Sequence, residues 1–182
     1  MRLHPEPIRI QHSGHQHMDA LGQLYLASFP KQERRILDQL RQLLPEQDMH
    51  IHAWMLDGAV AGLSIHWPFE DFLFLEHLAI VPALRGQKLG HQVVQWLLEQ
   101  AKGPLVLETE CSTDEASRRR IAFYERQGLV LHTSFAYRQP PYRKGGSPVP
   151  MHLMTGKIPV AASGLHNIAA TIRQRVYERF YT

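Results

Sequence analysis

Residues 72–100 read FLFLEHLAIVPALRGQKLGHQVVQWLLEQ, and the architecture turns on how this stretch is parsed. Phe72 to Val81 is an almost continuous apolar run closed by Pro82, as a buried strand is. From Gln87 to Ala101 the period changes, with Val93, Val94, Leu97, Leu98 and Ala101 recurring at helical spacing. Gly103-Pro104 stops that helix. Between strand and helix lies Arg85-Gly86-Gln87-Lys88-Leu89-Gly90. Glycine lets a backbone approach a ligand closely. The first N–H groups of a helix have no intrahelical acceptor and sit at the positive end of its dipole. A pyrophosphate fits such a cradle, and Arg85 and Lys88 add charge. The same residues also describe an ordinary glycine turn before a helix.

Upstream, Ile8-Arg9-Ile10 reads as a short strand. Residues 14–28 carry Met18, Leu21, Leu24 and Tyr25 at helical spacing, and Phe29-Pro30 breaks the pattern. A second helix is expected over 31–44, with Ile36, Leu37, Leu40, Leu43 and Leu44 on one stripe. His50 to Leu56 and Val60 to Trp67 flank the turn signal Asp57-Gly58, so an antiparallel meander precedes the decisive stretch.

Downstream, Leu105 to Glu110 is a strand. Ser112 and Glu115 have capping-box spacing for a helix reaching Gln127, and Gly128 ends it. Leu129 to Tyr137 and Pro150 to Ile158 read as strands around a Pro-Pro and Gly-Gly loop. The tail, Leu165 to Phe180, has one apolar stripe at helical spacing, which the protein's own sheet or a second copy would cover; a homodimer is compatible with it. The order is that of an α/β domain with a mixed, mostly antiparallel sheet of six to seven strands flanked by helices. The domain spans residues 1–160, with an extra C-terminal helix over 161–182.

Two blocks resemble the GNAT superfamily of N-acetyltransferases. Arg85 to Gly90 is similar to that family's Q/R-x-x-G-x-G/A acetyl-CoA loop, with Arg85 and Gly90 at its first and last fixed positions and Lys88 in place of the middle glycine. Leu78-Ala79-Ile80-Val81-Pro82 resembles its fourth strand and the turn after it. Arg120-Ile121-Ala122-Phe123-Tyr124-Glu125-Arg126-Gln127-Gly128-Leu129 resembles its A-x-x-F-Y-x-x-x-G-F segment. The resemblance implies acetyl-CoA as cosubstrate, with Leu78, Ala79 and Ile80 on the pantetheine arm and Arg85, Gly86, Gln87, Lys88, Leu89 and Gly90 on the pyrophosphate. It places Tyr124 at the CoA sulfur and Ser117 where the family often has a cofactor-touching Asn.

Acyl transfer to an amine needs a neutral nucleophile, although a free alkylamine has a pKa of about 10. It also needs a donor for the oxyanion and a proton for the departing thiolate. Glu76, a carboxylate inside an apolar strand, is the candidate base; it would otherwise be tied to a neighbouring Arg or His, or orient the substrate. Tyr124 is the candidate acid. By its resemblance the chain is expected to be an acyltransferase that moves acetyl directly, in a ternary complex, to a primary amine of a small molecule or peptide. The resemblance places the acceptor beside the loop between the first two helices and the last strands, which implies Phe29, Glu76, Glu108, Tyr137 and Tyr142 as acceptor contacts; aromatics with carboxylates suit a cationic amine. The alternative is a non-catalytic acyl-CoA-binding module, which the departures at Lys88 and Ser117 favour and the pair Glu76 and Tyr124 disfavours.

Bulk properties narrow the classes. The chain has 182 residues, 44% of them apolar, which is enough for one ordinary core. Its net charge of +3 is too small for the dense basic patch of a nucleic-acid binder. One cysteine, Cys111, excludes an internal disulfide framework, and the twelve histidines follow no metal-site spacing, so no metal is expected. No run approaches the roughly 18 apolar residues of a membrane span, and the first residues do not read as a signal peptide; a cytoplasmic location is the expectation.

Overall fold

The computed structural model describes residues 4–181. The chain forms two compact units. One comprises the chain up to Pro68 together with Leu75–Leu97, and the other comprises Phe69–Phe74 and the chain from Leu98 onward.

In the first unit, strands β1 (Glu6–Ile10), β2 (His50–Leu56), β3 (Ala59–Pro68) and the part of β4 (Leu73–Ile80) from Leu75 onward lie side by side in that order. β1 and β3 both run antiparallel to β2, pairing Ile8 with Ala53 and Ala53 with Leu63. The hairpin between β2 and β3 turns at Asp57 and Gly58, at φ 49° and 79°. Two successive left-handed residues match the right-handed strand twist, and Asp-Gly is a pair that tolerates them. Gly62 on β3 has a packing reason, because a Cβ there would lie 2.7 Å from the carbonyl oxygen of Ala79. Helix α1 (Met18–Ser28) buries Met18, Leu21, Leu24 and Tyr25. It starts four residues later than its apolar pattern suggests, because residues 12–18 close two turns, with His15 N–H bonded to His12 O and Met18 N–H to His15 O.

The expected helix over 31–44 is interrupted. A single 3-10 turn, Lys31–Glu33, is followed by extended backbone at Arg34, and helix α2 covers only Leu37–Gln42. Arg35 is drawn inwards instead. Its N–H donates to the Tyr25 hydroxyl at 2.9 Å, and its side chain is 1% exposed. No local propensity encodes that pull. Helix α3 (Leu89–Gln100) then follows β4 as the sequence implies.

In the second unit, β5 (Leu105–Glu110) and β8 (Val149–Gly156) pair antiparallel, Leu107 opposite Met154. The segment read as one strand from Leu129 to Tyr137 is two short pieces, β6 (Val130–Leu131) and β7 (Tyr137–Gln139), each antiparallel to β8. The residues between them leave the ladder, so the described residues hold eight strands where six or seven were expected. Helix α4 (Glu115–Glu125) is capped by Asp114, whose carboxylate accepts from Ser117 N–H at 2.7 Å, while the Ser117 hydroxyl accepts from Asp114 N–H. The box is therefore Asp114 with Ser117, two residues beyond the expected Ser112 with Glu115.

The tail forms α5 (Ala162–Ile172), but Arg173–Tyr177 continues as a π turn and Glu178–Phe180 as a 3-10 turn. The wider turn slips the phase of the buried stripe, so Val176 and Tyr177 both face inwards. With Leu165, Ile168 and Ile172 they form the buried side of this segment. Among the described residues no helix is long and apolar enough to cross a membrane. The result is an α/β fold with a mixed sheet flanked by helices and an added C-terminal helix.

Candidate active site

The residues singled out by sequence fall into two groups, one in each unit. In the first unit β4 alternates around Glu76. The Glu76 side chain has no exposed surface, so the exposure this residue retains lies in its main chain. Arg35 donates to Oε1, and the Trp67 indole N–H donates to Oε2 at 2.6 Å. A guanidinium and an indole on the two oxygens stabilise the anion in a buried setting. Of the alternatives that the sequence leaves for Glu76, the tie to an arginine is the one seen in the geometry.

His77 packs its ring against Phe29 and Tyr25, at 4.3 and 5.2 Å between centroids. Burial lowers its pKa to about 4, outweighing the opposite pull of Glu76, so it is neutral at pH 7. Phe29 therefore joins the β4 cluster through His77. Leu78 and Ile80 are half-buried, and Ala79 is buried.

After β4 the chain makes a short turn, Pro82–Leu84, and reaches the glycine loop. Gly86 has φ 78° and Lys88 φ 63°. Lys88 thus holds the left-handed conformation for which glycine is the usual choice. A non-glycine residue in that region is strained by roughly 1 kcal/mol. Arg85, Gly86, Gln87 and Lys88 are exposed, while Leu89 is buried and anchors the helix start. Arg85 Nε donates to Ile80 O at 3.1 Å and braces the loop on the strand end. The Lys88 carbonyl accepts from Gln92 N–H, which makes Lys88 the last residue before the free first turn of α3.

In the second unit Tyr124 is 8% exposed on α4 beside Phe123. Burial raises its phenol to about 12, and its hydroxyl has no hydrogen-bond partner among the described residues. It is protonated at pH 7. Ser117, by contrast, has its hydroxyl committed to the helix cap, where it also donates to Asp114 O at 3.0 Å. Glu110 is ion-paired with Arg120, and Glu115 with Arg119.

Glu108, on β5, gathers the densest polar cluster. Tyr137 OH donates to Oε1 at 2.5 Å, and Tyr177 OH donates to Oε2 at 2.6 Å. Gln139 Nε2 lies 3.2 Å from Oε2 and 3.0 Å from the Tyr177 oxygen. Tyr142 packs its ring 4.9 Å from that of Tyr177. Burial, then the Glu108 charge, holds the Tyr137 phenol well above its usual pKa. Glu108, Tyr137 and Tyr142 are thus brought together, and Glu108 stays half-buried. Gln139 and Tyr177 were missed. Alternation along the strand from Tyr137 places Gln139 on the same face, but nothing local announces the π turn that turns Tyr177 inwards.

A model of the acetyltransferase (GNAT) family matches residues 18–129. A GNAT-family protein of known structure from Bacteroides thetaiotaomicron is 34% identical, with 95% of this chain and 97% of that one covered and a TM-score of 0.85. The aminoalkylphosphonate N-acetyltransferase of Salmonella typhimurium is 31% identical over 91 residues, 47% of this chain and 59% of that protein. YjbC of Bacillus subtilis is 27% identical over 113 residues, 61% of this chain and 57% of that protein. The chain thus spans less than two thirds of the length of either of these two relatives. A GNAT acetyltransferase from Elizabethkingia anophelis, solved with acetyl-CoA bound, shares the fold at 16% identity and a TM-score of 0.57, over 86% of this chain and 99% of that one. With its glycine loop running into α3, its Tyr124 segment and a family match over more than half its length, the chain belongs to the acetyltransferase (GNAT) family.

Proposed function

We propose that the protein transfers acetyl from acetyl-CoA to a primary amine by direct attack in a ternary complex. The observation that carries this reading is Tyr124: a buried phenol, raised to about 12 and without a hydrogen-bond partner among the described residues. Such a group keeps its proton at pH 7 and donates its O–H to the sulfur as the C–S bond breaks. The substrate ammonium first loses one proton to water; the neutral nitrogen then forms the new C–N bond, and the second proton it sheds reaches the sulfur by way of solvent and the Tyr124 O–H. Arg85 to Gly90 and the first turn of α3 receive the pyrophosphate, and the main chain of Leu78 to Ile80 receives the pantetheine arm. Solved relatives in the family hold acetyl-CoA or CoA.

Glu76 serves as an anchored anion. With both oxygens occupied, it fixes Arg35 and Trp67 and orients β4, and it does not abstract the substrate proton. Glu108, with its remaining exposed surface, meets the substrate ammonium among Tyr137 and Tyr142. Aminoalkylphosphonates are the first acceptors to test, because a relative at 31% identity over 91 residues acts on them. Lys88 does not favour the non-catalytic alternative, because its backbone holds the conformation the missing glycine would supply.

The test is calorimetric titration with acetyl-CoA, followed by thiol release with an amine panel, for wild type and Tyr124→Phe. The expected result is micromolar binding for both and a kcat lower by roughly 100-fold for Tyr124→Phe. Folded protein that binds neither acetyl-CoA nor CoA would sink the transferase reading.

A further inference from the structure

Next to the Glu108 cluster, in the same unit, a surface pocket of about 300 Å³ opens between α5 and the stretch leading into β7. This volume is at the small end of ligand sites and suits a metabolite-sized molecule. Phe135 and Tyr137 form one wall, with ring planes 20° apart, and His166 packs edge-on to Phe135. The opposite wall is helical, and Ala169 there leaves the space that a larger side chain would fill.

The charges lining this pocket are cationic. Arg138 is exposed and donates one N–H to Pro148 O at 3.2 Å, with no carboxylate partner among the described residues. Arg173 meets Glu178 only at 3.5 Å, with both side chains about half exposed. A pair that long and that solvated competes weakly with a bound anion. Two guanidiniums over aromatic walls are a receptor for a carboxylate, phosphate or phosphonate.

Tyr137 connects this pocket to the carboxylate, since its ring lines the pocket and its hydroxyl holds Glu108. We propose that the pocket binds the acidic end of the acceptor. The substrate is then a short amine bearing an anionic group, its acid held at Arg138 and Arg173. The assignment of this ligand as acceptor rests on the transferase reading above, whereas the pocket's preference for anions does not.

The experiment is calorimetry on the full chain without acetyl-CoA. The probes are phosphoethanolamine and γ-aminobutyrate, against ethanolamine and butylamine, with inorganic phosphate as the anion alone. The two anionic amines separate phosphorus acids from carboxylates. At least one of them is expected to bind roughly tenfold or more tightly than its counterpart without the acid. The Arg138→Ala/Arg173→Ala variant loses that preference, and so does Ala169→Trp, which fills the pocket without changing charge. Amines without an acid binding as well as those that carry one, acid-bearing amines binding the double variant unchanged, or no acid-bearing amine binding at all would each overturn the proposal. A parallel acetyl-CoA titration shows whether the transferase reading has failed separately.

Discussion

Replacing Glu76 by Gln takes one charge out of a buried pair and leaves the Arg35 guanidinium 1% exposed and facing a neutral amide. The amide oxygen still accepts from Trp67, now 2.6 Å from Oε2, but the amide NH2 then faces the Arg35 donor. The loss therefore combines the charge with one hydrogen bond. Breaking a buried pair by removing one partner costs about 3–5 kcal/mol, because the other charge stays desolvated. For a chain of this length about 1 kcal/mol moves Tm by roughly 2–4 °C, so Glu76→Gln should melt about 6–20 °C below wild type. Arg35→Met should fall in the same range, since it strands the carboxylate. The Arg35→Met/Glu76→Gln double variant has no buried charge and should be less destabilised than the sum of the singles by about 1–3 kcal/mol. Urea unfolding followed by tryptophan fluorescence measures all four corners of the cycle. Singles that cost less than about 1 kcal/mol, or a double that is simply additive, would refute the idea that this pair stabilises the α1–α2 connection by mutual neutralisation.

Lowering pH should destabilise the fold between about 6.5 and 4. His52 and His77 are each lowered to about 4, chiefly by burial, so the unfolded chain binds protons that the folded chain refuses. Each costs about 3 kcal/mol by pH 4, and a Tm flat from pH 7 to 4.5 would contradict this. Lys88→Gly should stabilise the chain by up to about 1 kcal/mol by relieving the left-handed backbone at φ 63°. The same substitution should weaken CoA binding through the lost charge, so urea unfolding and CoA titration should move in opposite directions. Gly62→Ala should cost about 1–3 kcal/mol, because the new methyl group meets a backbone oxygen that cannot rotate away, at 2.7 Å; a stability equal to wild type in urea would show that the strands part easily there.

Where a structural decision depends on neighbours a few residues away, the sequence determined it. β2 has the bounds that alternation implies, β5 covers the segment expected as a strand, the Asp57-Gly58 turn joins β2 to β3, and the loop from Arg85 to Gly90 opens α3. The position of Tyr124 on its helix was legible in the same way, whereas the grouping of Glu108 with Tyr137 and Tyr142, distant in sequence, was an expectation drawn from the family resemblance. What the tertiary structure decided are the places where a distant partner outweighs local preference. Arg34 and Arg35 leave a good helical stripe because a guanidinium gains more by neutralising Glu76, forty-one residues away, than a helix gains from one more turn. The strand expected from Leu129 to Tyr137 divides into β6 and β7, both paired with β8. The π turn at Arg173–Tyr177 breaks the 3.6-residue period so that the Tyr177 hydroxyl reaches Glu108. A hydrogen bond to a half-buried carboxylate offsets the strain of a wider turn, and periodicity has no means of announcing such a trade.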